Sequence, residues 1–366
     1  MTETSTQTQT PTPADRARAF CQQHGLLHPV LLAPMAGACP PALSAAVVRA
    51  GGLGACGALL MAPAAILQWA GDVRAAASQP GTVAFQINLW VPDPAPVRDA
   101  AHEQALCDWL AAWGPASTPA AGDARPPDFS AQCDALLAAR APIVSSVMGL
   151  FPPAFVQRLR AAGVAWWANI STVAEARAAV AAGADVVVAQ GMEAGGHRGC
   201  FDATRAEAQQ VGLFALLPAV ADAVCVPVVA TGGIADARGV AAAFALGASA
   251  VQVGTGFLRA PEAGLPAAWA DALARTAPED TCLSRAFSGR AGRSIATGYV
   301  QAAAAAGAPA PAPYPVQRGL TAAMRQQALA DGDLQRMQAW AGQSARLAPP
   351  WPAARIVAAL AAGVPV

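Results

Sequence analysis

From about Val30 onward, short apolar runs alternate with alanine-rich stretches that mix apolar and charged positions. Eight runs can be counted: VLLAPM (30–35), LGACGAL (53–59), VAFQINL (83–89), PIVSSVM (142–148), VAWWANI (164–170), DVVVAQ (185–190), VPVVATG (226–232) and SAVQVGT (249–255). Continuous apolar runs of this length suit strands buried on both faces, as in a parallel sheet. The stretches between them carry helix signals. One begins at Thr172 with Glu175 three residues on, the spacing of a capping box. Alternating strand and helix predicts a parallel sheet with helices outside. Eight repeats predict an α/β fold closed as a (β/α)8 TIM barrel. The third unit is the longest, and its Pro/Gly/Ala-rich insert (114–130) reads as a surface loop.

About a hundred residues follow the eighth run, too many for one closing helix. They predict a smaller, mostly helical C-terminal domain over 257–348, placed on the substrate side, over the C-terminal ends of the strands. The last segment, 349–366, contains WPAARIVAALAAG and reads as a closing helix packing back on the barrel. The polar, Thr/Pro-rich start leads to the expectation of a disordered tail over 1–20, with the barrel spanning 21–256. That start lacks a basic region followed by an apolar core, so it does not read as a secretory signal.

Composition narrows the function classes. Apolar residues make up 55% of the chain and charged ones 13%, ample for a large core. The 23 basic and 23 acidic residues balance, and no basic stripe stands out, which argues against a nucleic-acid partner. No apolar run reaches the roughly 20 residues of a membrane helix. Asp185 and Asp222 interrupt the longest candidates, so no membrane partner is expected. The eight cysteines are scattered without a CxxC pair, which indicates neither a zinc site nor a disulfide framework. A cytoplasmic enzyme with reduced thiols is the simplest expectation.

The candidate chemistry sits at the predicted strand ends, where barrels carry their sites. The sixth run leads into GMEAGGHRG (191–199), a glycine-rich loop with one histidine, His197. The pair Gly195 and Gly196 permits positive φ and close approach of a ligand to the main chain. ATGGI (230–234) and QVGT (252–255) follow the seventh and eighth runs, and barrels often hold phosphate between these two loops. Gly232, Gly233 and Gly254 offer N–H groups without a Cβ in the way, and Thr255 adds a hydroxyl. Asn88, Gln190 and Gln252 are amides at or near strand ends. Each must either bond local backbone or address a ligand with mixed donors and acceptors, such as a flavin edge. Ala33-Pro34-Met35 closes the first run, where a proline and a following glycine would turn the backbone over a flat ring.

Taken in order, APMAGACPPALSAAVVRAGGLG (33–54), INLW (87–90), AQGMEAGGHRG (189–199), ATGGIADARG (230–239) and VQVGTGFL (251–258) are very similar to motifs of nitronate monooxygenases, formerly called 2-nitropropane dioxygenases. AFSGRAGR (286–293) and WAGQ (340–343) also resemble that family, so the resemblance covers roughly 29–346. It implies an FMN-containing barrel that oxidises alkyl nitronates, and in some cases nitroalkanes, with O₂ to carbonyl compounds and nitrite. It implies FMN contacts from Asn88, Gln190, Gly195, Gly233 and the run Gln252, Val253, Gly254, Thr255. Ala33, Pro34 and Met35 would lie along the isoalloxazine. His197 would be the catalytic base and should lose activity on neutral nitroalkanes at acid pH, as the imidazole takes up a proton. The resemblance also implies that no NAD(P)H is needed. Family members often line the substrate pocket with several tyrosines, whereas this chain has only Tyr299 and Tyr314, so the resemblance leaves the substrate open. An FMN-dependent NAD(P)H:quinone or enoyl reductase on the same fold is the alternative, because fold alone does not decide function.

Overall fold

The computed structural model describes residues 11–78 and 83–366. Nine strands lie between residues 30 and 253: β1 (Val30–Leu32), β2 (Gly54–Gly57), β3 (Phe85–Trp90), β4 (Ile143–Val147), β5 (Ala165–Ile170), β6 (Val186–Gln190), the short β7 (Gly196–His197), β8 (Val228–Thr231) and β9 (Ala250–Val253). All but β7 form one parallel sheet in the order β1-β9-β8-β6-β5-β4-β3-β2. Its two ends meet at a parallel bridge between Leu31 and Leu53. There Leu32 N–H donates to Leu53 O at 2.9 Å and Leu53 N–H to Val30 O at 3.1 Å. The eight apolar runs are thus the eight staves of a TIM barrel. Most are buried along their whole length, because helices cover the outer face and side chains fill the inner one.

The amino-terminal expectation needs correction. Residues 1–10 lie outside the described residues, but Pro13–His24 is a helix, so the segment read as a disordered tail to residue 20 is ordered in its second half. Thr12 Oγ1 accepts the Asp15 N–H at 3.1 Å and the Asp15 carboxylate accepts the Thr12 N–H at 3.2 Å, a reciprocal cap hidden in a Thr/Pro-rich stretch. The helix closes the N-terminal mouth of the barrel. Phe20 packs on Trp167 with 5.7 Å between ring centroids, inside a cluster with Leu31, Leu53, Ile143 and Val229.

Beyond β9 the chain forms helices at Ala267–Leu273, Gly298–Ala303, Val316–Leu320 and Ala322–Asp331. It also forms two strands that the sequence pattern did not announce, β10 (Thr281–Ser284) and β11 (Gly292–Ile295). They pair antiparallel, and β11 pairs in turn with β7, setting Gly292 opposite His197 and Arg293 opposite Gly196. The loop after β6 therefore takes its strand partner from residues almost a hundred positions later. The insert at 114–130 is not a free surface loop. Its turn Pro119–Asp123 packs against Val316–Leu320, so tightly that a Cβ on Gly319 would lie 2.1 Å from Ala121 O. Helix Ala353–Ala361 lays Ile356, Val357 and Leu360 between helices Pro41–Arg49 and Ala237–Ala245. Among the described residues no helix is long and apolar enough to cross a membrane.

Candidate active site

The strand ends and the residues after β9 enclose a cavity of about 510 Å³. Every site residue expected from the sequence lines it except one. Val253 is buried in the core instead, and its carbonyl accepts the Ala33 N–H at 2.9 Å along the β1–β9 seam.

The loop after β6 is fixed by backbone contacts. Gln190 does not aim its amide at the cavity centre. Its Nε2 donates to His197 O at 3.1 Å and its Oε1 accepts from Gly199 N at 2.7 Å. The buried Arg198 donates to Gln190 O, Ser171 O and Gln209 O. Glu175 was expected to complete a capping box. It spends its carboxylate on Ser171 N at 2.7 Å and Phe201 N at 2.8 Å, tying the end of β5 to the end of the histidine loop. Gly195 is dictated by packing, since a Cβ there would lie 2.5 Å from Gly342 N.

His197 is held on three sides. Its Nε2 lies 2.8 Å from Ser288 Oγ, and its ring lies 4.9 Å, centroid to centroid, from each of Trp90 and Trp340. Ser288 has a single proton, and Arg290 O lies 3.1 Å from its oxygen. When that carbonyl takes the proton, Nε2–H donates to Ser288 and the lone pair sits on Nδ1. Burial, and then the positive charges of Arg290, Arg318 and Arg325, push His197 down from 6.5 to about 3. The imidazole is therefore neutral at any ordinary pH. The acid-pH loss expected from an unperturbed histidine moves down to about pH 3.

A polar chain crosses the barrel interior. Asn88 Nδ2 donates to Ser145 Oγ at 3.0 Å, Ser145 Oγ to Gln86 Oε1 at 2.8 Å, and Gln86 Nε2 to Gln252 Oε1 at 2.9 Å. These bonds orient the outer two amides and leave Asn88 Oδ1 and Gln252 Nε2 without a protein partner among the described residues. Gln86 and Ser145 were missed from the sequence. The available signal was Gln86 two residues before Asn88, on the same face of a buried strand. Asn169 was missed as well, and its Nδ2 is buried without a partner.

At the ends of β8 and β9 the backbone opens outward. Gly232 has φ +115° and Gly233 φ +71°, a region where a side chain is strained. Among the described residues no acceptor is found for the N–H groups of Gly232, Gly233, Gly254 and Thr255. Four unpaired N–H groups on neighbouring strand ends supply the donors that an anion site needs. Thr255 Oγ1 accepts from Gly342 N at 3.0 Å, which leaves its own proton to donate, and Ser344 Oγ bonds Gly233 O.

The opposite wall is aromatic and basic. Trp90 and Tyr314 stack at 4.8 Å with 12° between their planes. Arg290 lies 5.5 Å over the Trp90 ring and is paired with Asp93. Behind the aromatic pair Arg290 does not reach the cavity, whereas Arg318 and Arg325 line it, and neither of these two has a carboxylate partner among the described residues. Ser288, Tyr314, Trp340 and the two arginines were not singled out from the sequence as site residues. Only their distant strand pairing and the lobe's packing bring them to His197.

The chain resembles known proteins along most of its length. The profile of the nitronate monooxygenase family matches residues 18–363. A nitronate monooxygenase of Paraburkholderia phytofirmans is 38% identical over 351 residues, covering 94% of each chain. The crystal structure of a nitroalkane oxidase from Streptomyces ansochromogenes superposes with a TM-score of 0.82 at 37% identity, covering 93% of this chain and 96% of that one. FabK from Thermotoga maritima superposes with a TM-score of 0.71 at 28% identity, covering 93% and 94%.

Proposed function

The chain belongs to the nitronate monooxygenase family, a family of oxidoreductases, and from that premise we propose that it oxidises alkyl nitronates at a bound FMN, with O₂ as second substrate and a carbonyl compound and nitrite as products. One observation carries the reading: a single neutral histidine, overlooked by unpaired arginines, faces the same cavity as an anion cradle with free N–H groups.

The residues present fit the cofactor. The cradle at Gly232, Gly233, Gly254 and Thr255 suits a phosphate, and the Asn88 acceptor with the Gln252 donor suits a heterocycle with mixed edges. No GxGxxG follows a strand, which favours a mononucleotide over a dinucleotide. FMN, when bound, supplies the electron acceptor and the route to O₂. The rest belongs to the chain. Arg318 and Arg325 place positive charge beside His197, which favours an anion at that point, and a nitronate is an anion whereas a nitroalkane is not. His197 with Nε2–H given to Ser288 takes the α-proton of a nitroalkane at Nδ1, and in the other tautomer, with Nε2 accepting the Ser288 proton, its Nδ1–H donates to a nitronate oxygen. A base works best with a pKa near the operating pH, so a histidine near 3 is a weak proton acceptor. The preformed nitronate is accordingly the better substrate.

Two expectations follow from the electrostatics. With a preformed nitronate, kcat/KM should show no histidine inflection between about pH 5 and 8, the range where an ordinary imidazole titrates. An inflection near 6.5 would place His197 in water-like surroundings and contradict the buried site. Arg318→Met should raise KM for nitronates about five- to tenfold, the worth of roughly 1 kcal/mol for a charge pair near water, with a smaller effect on kcat. An unchanged KM would remove Arg318 from substrate binding.

Anaerobic mixing tests the reading against the reductase alternative. A nitronate should bleach the enzyme's flavin absorbance and NADH should not. Bleaching by NADH alone would favour the reductase.

A further inference from the structure

A second cavity of about 200 Å³ lies behind the Trp90–Tyr314 stack. Leu59, Trp90 and Tyr314 line both cavities, so the stack is the partition between them. Beyond it the walls are almost wholly apolar and stiff. Pro94 and Pro96 come from the loop after β3, and Pro126 and Pro127 precede Phe129 at the start of a helix. Proline rings fix φ, so this chamber keeps its shape without a ligand. Its two polar members are already engaged: Asp93 pairs with Arg290, and Gln132 Nε2 donates to Ala58 O at 3.0 Å and Met61 O at 2.9 Å.

The partition is weakly fastened. Trp90 Nε1 and Tyr314 Oη are both buried and without a hydrogen-bond partner among the described residues. A buried polar group left unpaired costs on the order of a normal hydrogen bond or more, which opposes the closed stack. Aromatic stacking supplies the main attraction between the two rings, and it is modest. Swinging Tyr314 aside would expose its hydroxyl to water and join the two cavities.

We propose that the proline-walled chamber is a tail subsite: it receives the alkyl chain of primary nitro compounds longer than the ethyl homologue, past a displaced Tyr314, while the nitro group stays at His197. This deepens the nitronate reading by naming a preferred class within it, medium-length unbranched alkyl chains, and it rests on that reading for the identity of the head group.

The test separates binding from turnover. The flavin-loaded enzyme, its flavin first reduced with dithionite so that it can take no electrons from the ligand, is titrated without oxygen by calorimetry with nitroethane, 1-nitrobutane, 1-nitropentane and 1-nitrohexane. Each methylene entering the chamber should tighten binding about threefold to fourfold. Pro127→Trp, on the far wall and outside the catalytic cavity, should fill the chamber and abolish the gain while leaving nitroethane affinity unchanged. Pro94→Trp, on the exposed rim, is the second variant should Pro127→Trp fold poorly. Affinity independent of chain length in the wild type, or a gain that persists in the filled variant, overturns the subsite. Failure to oxidise any nitronate would count against the proposed reaction alone, because the affinity series is read without turnover.

Discussion

His197→Asn should lower turnover of neutral nitroalkanes by about 10²-fold, the low end of the usual worth of a general base because its pKa lies far below the operating pH, while sparing much of the activity on preformed nitronates. Asparagine keeps a donor of similar size near Ser288, 2.8 Å from the native ring nitrogen, but cannot accept a carbon-bound proton. A nitroalkane must lose that proton before it can give up electrons, and a nitronate has already lost it. The variant's flavin content should match the wild type, because His197 belongs to the loop after β6 and not to the cradle at the ends of β8 and β9. Wild-type rates on a neutral nitroalkane would show that His197 is not the base. An equally severe loss on nitronates would make it a binding group.

Gly233→Val should cost the enzyme most of its bound flavin. Gly233 sits at φ +71°, where a β-branched residue is strained, and a new Cβ would lie 3.3 Å from Glu193 Cβ. Glu193 cannot retreat easily, because its carboxylate accepts the Leu213 N–H at 2.9 Å at the start of a helix. The loop must therefore shift, and the N–H groups of Gly232 and Gly233 shift with it. The measurement is the ratio of flavin to protein absorbance after purification and after reconstitution with FMN. Thermal unfolding of the apo forms should differ by only about 1–3 kcal/mol, the cost of local strain. Full FMN occupancy in the variant would remove the phosphate from this cradle.

The barrel was legible because its signal is periodic and local. Each stave is a short run of mostly buried, mostly apolar residues, and their alternation with helices implies parallel pairing. The glycines of the cradle were legible for a related reason, since positive φ at Gly232 and Gly233 leaves a mark on composition. What stayed hidden depends on contacts between distant segments. Nothing near β7 signals that Gly292 will pair with His197, and β10 and β11 are too short and polar to stand out beside alanine-rich helices. Gln190 lines the cavity as expected, but each end of its amide also bonds the backbone of the loop it precedes, and only the folded loop reveals that. Val253 belongs to the right run but faces the core, since side chains alternate along a strand and its neighbour Gln252 takes the inner face. The lowered pKa of His197 could not be read locally either. The histidine stands alone in its loop, and what depresses it, burial first and then the charges of Arg290, Arg318 and Arg325, is built by distant segments.

The central claim is that this chain turns nitronates into carbonyl compounds and nitrite at the expense of O₂, without a pyridine nucleotide. The most direct measurement is oxygen consumption followed together with nitrite release, using purified enzyme and preformed ethyl nitronate with no NAD(P)H added. The account predicts that oxygen uptake and nitrite release rise together and saturate with nitronate concentration. Flavin-loaded enzyme that consumes no oxygen and releases no nitrite with ethyl nitronate or its longer homologues, yet oxidises NADH in the presence of a quinone or an enoyl thioester, would contradict it.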